Sequence, residues 1–304
     1  VNIIVGAYAA SPSQPSWQPH LEADYFARLA EVLGLRGLEL PWVGRLHPHD
    51  SDWLLAALPS RFDLVVTDIG GTVGRLAADP DYGLASNDAD GRRRALDDAA
   101  RMRDDVDRLN QSAGRSAVIA VELHSAPLAG NGGPAAFAES LRELAGWQWG
   151  GAQLLVEHCD TLVDGRSPEK GYLPLAAEID AIAGSDTAFG LSLNWGRSAI
   201  ELRDADAVLR HVAEARGSGL LRAVVFSGAS PEASAFGPAW VDAHLPFDAD
   251  EPTSRLTAER AHATLDAAGD LDWVGIKLGH RPLDAPVADR VRVIQNSIAL
   301  LDRD

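Results

Sequence analysis

Short apolar segments recur along this chain, in which bulky residues alternate with small or polar ones. In Val118-Ile119-Ala120-Val121-Glu122-Leu123-His124 the large residues Ile119, Val121 and Leu123 share one parity, while Glu122 and His124 share the other with Val118 and Ala120. The arrangement returns in Gln153-Leu154-Leu155-Val156-Glu157, Gly190-Leu191-Ser192-Leu193-Asn194 and Trp273-Val274-Gly275-Ile276-Lys277. Strand side chains alternate between two faces, so each polar end group points away from its bulky neighbours. Many strands presenting one polar group each to a common centre describe the mouth of a parallel β-barrel, where the catalytic groups of (β/α)8 enzymes sit.

Strand-like segments fall near residues 2–8, 36–40, 62–69, 117–124, 153–158, 188–194, 222–227 and 272–278. Helical patterns follow them at about 19–33, 51–58, 89–112, 134–146, 173–184, 204–217, 257–268 and 286–302. The third is the clearest: Leu96, Ala99, Met102, Val106 and Leu109 recur at three- or four-residue steps among Arg and Asp, whose charges read as a solvated face. Eight strand–helix units predict a single (β/α)8 TIM barrel over residues 1–304, with right-handed crossovers. An open doubly wound sheet is the alternative, but no G-x-G-x-x-G follows the first strand. Two connections, about 70–88 after strand three and 228–256 after strand seven, are long enough to shape an active site.

Composition narrows the function classes. No stretch approaches the roughly 20 apolar residues of a membrane span, and the first residues show no secretory signal. The single cysteine, Cys159, excludes an internal disulfide and suits a cytoplasmic protein. A formal net charge of -17 disfavours nucleic acid and anionic membranes as partners. A small anionic substrate stays compatible, because a local cluster of basic groups reverses the field inside a cleft. Nothing in the pattern marks an oligomer interface, and a homo-oligomer is left open.

Parity applied to every strand gives an inward set of Tyr8, Glu39, Thr67, Glu122, His124, Glu157, Asn194, Ser227 and Lys277. Several ionisable groups in one pocket are paired or put to use, because burying charge is costly. Glu39 has a structural reading, as an ion-pair partner of Lys277. His158 has the opposite parity and reads as structural. In the rim segments, Arg197 and His280 are basic groups able to clamp an anion, and Trp17, Trp42, Trp195 and Trp240 are aromatic faces suited to a sugar or to the core. His47 and His49 form too short a motif to assign.

Several segments carry a family resemblance: Val5-Gly6-Ala7-Tyr8-Ala9-Ala10-Ser11-Pro12, Gly37-Leu38-Glu39-Leu40-Pro41-Trp42, Leu46-His47-Pro48-His49-Asp50, Glu157-His158-Cys159-Asp160 and Leu193-Asn194-Trp195-Gly196-Arg197. On these the chain resembles the xylose-isomerase-like barrel superfamily of sugar isomerases and epimerases, in a bacterial branch catalogued as a domain of unknown function. The resemblance implies a divalent metal held by carboxylates and a histidine from strands five to eight. Glu157 matches the strand-five carboxylate, but Asn194 stands for the usual aspartate, Ser227 for histidine and Lys277 for glutamate. A lysine cation has no lone pair to give and repels a metal. A metal, if held, would sit between Glu122, His124 and Glu157.

The expected function is aldose–ketose isomerisation by carboxylate-mediated proton transfer. Glu157 is the first candidate for the base and Glu122 the next, with His124 and Lys277 as electrophiles and Tyr8, Glu39, Trp42, Asn194, Trp195, Arg197, Ser227 and His280 binding substrate. An anionic hexose is the expected substrate, a sulfonated sugar such as sulfoquinovose being one candidate from the resemblance and from Arg197, Lys277 and His280. Alternatives are an epimerase, a Schiff-base lyase or aldolase using Lys277, a glycoside hydrolase using Glu122 and Glu157, and a non-catalytic sugar sensor.

Overall fold

The computed structural model describes residues 3–302, so Asn2, where the first strand was expected to begin, lies outside the described residues. Eight parallel strands close into a barrel in sequential order: β1 (Ile3–Val5), β2 (Leu35–Pro41), β3 (Asp63–Thr67), β4 (Val118–Leu123), β5 (Gln153–His158), β6 (Gly190–Asn194), β7 (Leu221–Phe226) and β8 (Trp273–Ile276). The helices are α1 (Pro19–Leu29), α2 (Ser51–Ala57), α3 (Ile69–Leu76), α4 (Ala89–Ala113), α5 (Pro134–Ala145), α6 (Leu175–Ser185), α7 (Trp195–Leu202), α8 (Val208–Gly217), α9 (Ala258–Ala268) and α10 (Val287–Leu301). No described helix is long and apolar enough to cross a membrane.

Strand parity divides the core into two layers. Ile4, Val65, Ala120, Leu155, Ala223, Val225 and Trp273 fill the barrel interior. Val66, Val121, Leu123, Val156, Leu191, Leu193, Val224, Phe226 and Ile276 pack outward with the helices. Ile119 departs from the expected outward parity: it packs against the interior group, where the β3–β4 register shifts between Leu64 and Val65.

Three boundaries also differ from the sequence expectation. β1 stops at Val5 and a 3-10 turn, Ala7–Ala10, carries Tyr8. The connection after β3 contains α3, whose Gly-rich sequence conceals its helical stripe. Trp195 and Arg197 lie in the first turn of α7, for which Asn194 is both the last residue of β6 and the cap, its side chain accepting from the Arg197 backbone N–H. The segment from β7 to α9 carries no helix or named strand, and Trp240 and His244 within it adopt left-handed backbone conformations.

One glycine sets the strand spacing. A Cβ on Gly37 would stand 1.9 Å from the Asp63 carbonyl oxygen, whereas one on Gly74, in α3, meets nothing within 4 Å. Gly37→Ala is therefore expected to destabilise the fold by about 1–3 kcal/mol, as overpacking does. Gly74→Ala should leave stability unchanged or raise it by up to about 1 kcal/mol. Denaturant unfolding of the two variants beside the wild type checks this, and equal effects would contradict it.

Candidate active site

The inward polar side chains meet at the C-terminal mouth of the barrel. Glu39 Oε1 accepts from the Tyr8 hydroxyl at 3.1 Å and lies 2.6 Å from Lys277 Nζ. Glu157 Oε2 bonds His124 Nε2 at 2.8 Å, while its Oε1 lies 2.7 Å from Arg197 Nη1 and 3.5 Å from Lys277 Nζ. These last contacts are ion pairs by distance, but neither Glu157 Oε1 nor Lys277 Nζ makes a well-aligned hydrogen bond. His124 Nδ1 is held by Asp68, at the start of α3. Glu122 Oε1 accepts from Ser192 Oγ at 2.7 Å, and Asn194 Oδ1 accepts from Ser227 Oγ at 2.8 Å. Thr67 is likewise buried at the end of β3.

Small residues make room for this cluster. A Cβ on Gly6 would meet Lys277 Cγ at 2.9 Å and Glu39 Oε2 at 3.2 Å, and one on Gly196 would meet Ser227 Oγ at 2.5 Å. Two rim loops close over it. Asp160, after β5, accepts from the backbone N–H groups of Glu169 and Lys170 and folds that loop back. Lys170 Nζ then reaches Asp242 Oδ2 at 3.2 Å, and Arg197 Nε donates to the same oxygen at 3.1 Å.

The charges have opposed environments. Burial, then the neighbouring Glu157 and Glu39 carboxylates, pushes Glu122 up to about 8. Burial also opposes ionisation of Glu157, but Arg197, Lys277 and His124 outweigh it and hold that carboxyl well below its ordinary value. Lys277 stays charged: burial disfavours its ammonium, and Glu157 and Glu39 more than compensate. Burial likewise opposes charging of His124, which the Cys159 sulfur and Asp68 outweigh, raising it well above its ordinary value. The mouth thus holds a protonated carboxyl close to an ionised one. Glu122 Oε2 and Asn194 Nδ2 remain buried without a hydrogen-bond partner. Buried polar atoms are nearly always satisfied, so these two mark where a ligand's polar groups would complete the set.

Other expected site residues lie elsewhere. Trp42 and Trp195 continue their strands with outward parity and pack between barrel and helices, Trp42 donating its indole N–H to Asp105 of α4 at 2.9 Å. His280 lies beyond the last inward residue of β8, where Gly279 N–H bonds the His244 carbonyl and the chain turns away. It lines a separate cavity of about 600 Å³ with Phe236, Pro246 and Arg281. Arg197 reaches the cluster, but its guanidinium is occupied by Glu157, Asp242 and the Cys159 sulfur. Sequence reasoning missed Asp68, Ser192, Lys170 and Asp242. Of these only Ser192 carried a signal, two residues before Asn194 on the same face.

The donors do not fit the metal that the resemblance implies. The Lys277 ammonium lies between Glu39 and Glu157, where it would repel a metal cation. Glu122, His124 and Glu157 do not bring three ligand atoms together; the described residues that do are His158, Glu201 and His211.

A cavity of about 320 Å³ adjoins the cluster, with Tyr8 in its wall beside Leu40, Pro41, Tyr25 and His47. Trp17 stacks on His49 nearby, ring centroids 5.1 Å apart. A cavity of about 350 Å³ between α3 and α4, around Arg75 and Asp98, lies apart from the chemistry.

Comparison with known proteins places this architecture. A family model, DUF4862, described as a domain of unknown function, matches residues 4–293. An uncharacterised protein of Salmonella typhimurium is 35% identical over 306 residues, covering 99% of this chain and 96% of its own. A xylose isomerase domain containing protein from Salmonella typhimurium superposes with a TM-score of 0.63 at 11% identity, over 99% of this chain and 97% of that one. 3-Keto-D-glucoside 4-epimerase from E. coli superposes with a TM-score of 0.59 at 14% identity, over 98% of each chain. At these identities the structural likeness shows the fold, a xylose isomerase-like TIM barrel.

The Glu122 environment predicts a pH-dependent stability. The folded state keeps this proton up to about pH 8, whereas the unfolded chain releases it near 4.5. Between these values the unfolded state binds fewer protons, so raising the pH favours unfolding. Glu122→Gln removes the effect. The melting temperature of the wild type should fall relative to that of Glu122→Gln as pH rises from 4.5 to 8. Parallel curves would contradict the assignment.

Proposed function

The chain belongs to the DUF4862 family, and we propose that this protein is a sugar-modifying enzyme of the isomerase or epimerase type, working by proton transfer at a carbon beside a carbonyl. The observation that carries the reading is Glu122, pushed up to about 8 beside an ionised Glu157, with its Oε2 unpartnered. A proton carrier works best when its pKa is near the operating pH. On that ground the transferring role moves from Glu157, the first choice from sequence, to Glu122. In its ionised fraction Glu122 takes the proton from carbon, and in its protonated form it returns one. Lys277 polarises the substrate oxygen as negative charge develops there. Asn194 Nδ2 is free to donate to a hydroxyl. Glu157 holds Lys277, His124 and Arg197 in register.

Two alternatives fare less well. A Schiff base needs a neutral lysine amine, whereas Glu157 and Glu39 keep Lys277 protonated. Covalent glycoside hydrolysis through Glu157 needs a free carboxylate oxygen, and both of its oxygens face cations. The superposable epimerase supports sugar chemistry on this scaffold. The charge of the substrate is a separate element of the proposal. Anion recognition was expected from Arg197, Lys277 and His280, of which the first two are paired with carboxylates and the third lies in another cavity.

Exchange of substrate carbon-bound protons with deuterated water tests the reading, using ketohexoses and a matched sulfonated derivative. Wild type should exchange at least one of these substrates. Glu122→Gln should lose roughly 10²–10⁴-fold in exchange rate, while Glu157→Gln weakens binding more than exchange. Loss confined to Glu157→Gln would return the base role to that residue. Exchange of the sulfonated member alone would establish an anionic substrate, and exchange of neither would overturn the proposal.

A further inference from the structure

On the helix side of β5, away from the barrel mouth, three side chains converge that the proposed reaction does not use. They are His158 at the end of β5, Glu201 in α7 and His211 in α8. Each imidazole has its Nδ1 held by a neighbour. His158 Nδ1 bonds Glu178 Oε2 at 2.7 Å, and the other Glu178 oxygen accepts from Ser125 Oγ at 2.5 Å. His211 Nδ1 bonds Ser198 Oγ at 3.1 Å. The two Nε2 atoms are thereby aimed at one carboxylate, His158 at 3.2 Å from Glu201 Oε2 and His211 at 3.5 Å from Oε1. The rings stand edge to face, centroids 5.2 Å apart at 78°, so they approach from different directions.

The two nitrogen–oxygen distances are close to the edge of a tetrahedral coordination shell, and one ligand atom from each of the three residues lies within 4.8 Å of the others. Bonds of about 2.0–2.1 Å from zinc to nitrogen or oxygen set ligand atoms roughly 3.3 Å apart. Histidine ligands of metals typically donate their second ring N–H to a carboxylate or another acceptor, as His158 does to Glu178. We propose that His158 Nε2, the Glu201 carboxylate and His211 Nε2 form a binding site for a divalent transition metal of the zinc class on the outer face of the barrel. The ion would replace the hydrogen bond between His158 Nε2 and Glu201 Oε2.

The bound ion would tie the end of β5 to α7 and α8. His158 follows Glu157, and α7 carries Arg197, so the clamp secures from behind the two elements whose charges meet in the mouth. The site is independent of the proposed sugar chemistry.

Chelator-stripped full-length protein is titrated with zinc alone, by calorimetry or against a competing chelator. One ion per chain is expected, lost in His211→Gln and Glu201→Gln. Glu178→Gln should keep the site but weaken it roughly 10–100-fold, as loss of a ligand-orienting partner does. His47→Gln should match the wild type. No stoichiometric binding by wild type, or unchanged affinity in both His211→Gln and Glu201→Gln, overturns the site. Should those variants fail to fold, anomalous diffraction from zinc-soaked wild-type crystals decides: a peak between the three side chains supports the proposal, and its absence there refutes it.

Discussion

The barrel mouth depends on the burial of the Glu157 carboxylate among three cations. An isolated carboxylate with no solvent exposure would lose its hydration without compensation and take up a proton. Here Arg197 and Lys277 face one oxygen and His124 the other, so the charge survives burial. Each cation is in turn tied to a second acid: Arg197 to Asp242, Lys277 to Glu39 and His124 to Asp68. The neighbouring Glu122 receives none of these cations directly and accepts only a serine hydroxyl. Retaining its proton is the less costly state. Two chemically identical side chains are thus driven apart by the cations surrounding one of them, the arrangement by which acid and base roles are separated within one site.

The network also ties folding to assembly of the site. Its members come from β2, the start of α3, the residue after β4, β5, α7, the residue after β8 and the β7–α9 segment, so it forms only when the barrel closes. Glycine at position 6 leaves space for the Lys277 stem and Glu39, and glycine at 196 for Ser227. Asp242 meets Lys170 and Arg197 at one oxygen, linking the β5 and β7 loops directly above the buried charges. Removing one member of such a network leaves another charge buried and uncompensated, which costs more than a surface pair would.

The barrel was legible in the sequence because parity constrains residues buried between two layers. Side chains facing helices must be bulky, and those facing the closed mouth can be polar only where partners exist. Val121 and Leu123 therefore separate cleanly from Glu122 and His124, and Leu193 from Asn194. The same rule set His158 outward, and it lies against α6, α7 and α8. Parity stops at the strand end. Asp68 reaches His124 because the chain turns into α3, and Asp242 arrives from a segment without periodicity, so neither announces itself. Trp42 and Trp195 follow the outward parity of β2 and β6 into the layer beneath the helices, and their rim position alone carries no information about ligand contact. The pairing of Arg197 with Glu157 and Asp242 joins side chains 40 and 45 positions apart, and no local pattern in the sequence distinguishes it from an anion clamp.

The proposed chemistry rests on a Glu122 that is protonated at neutral pH while Glu157 is ionised. Isotope-edited infrared spectroscopy of the folded protein measures this directly, through the carbonyl stretch of a protonated carboxyl. Such a band is expected at pH 7, fading as pH rises through about 8 and missing from Glu122→Gln. A protonated Glu122 would be contradicted by the lack of a protonated band at neutral pH, or by a band that vanishes in Glu157→Gln and persists in Glu122→Gln.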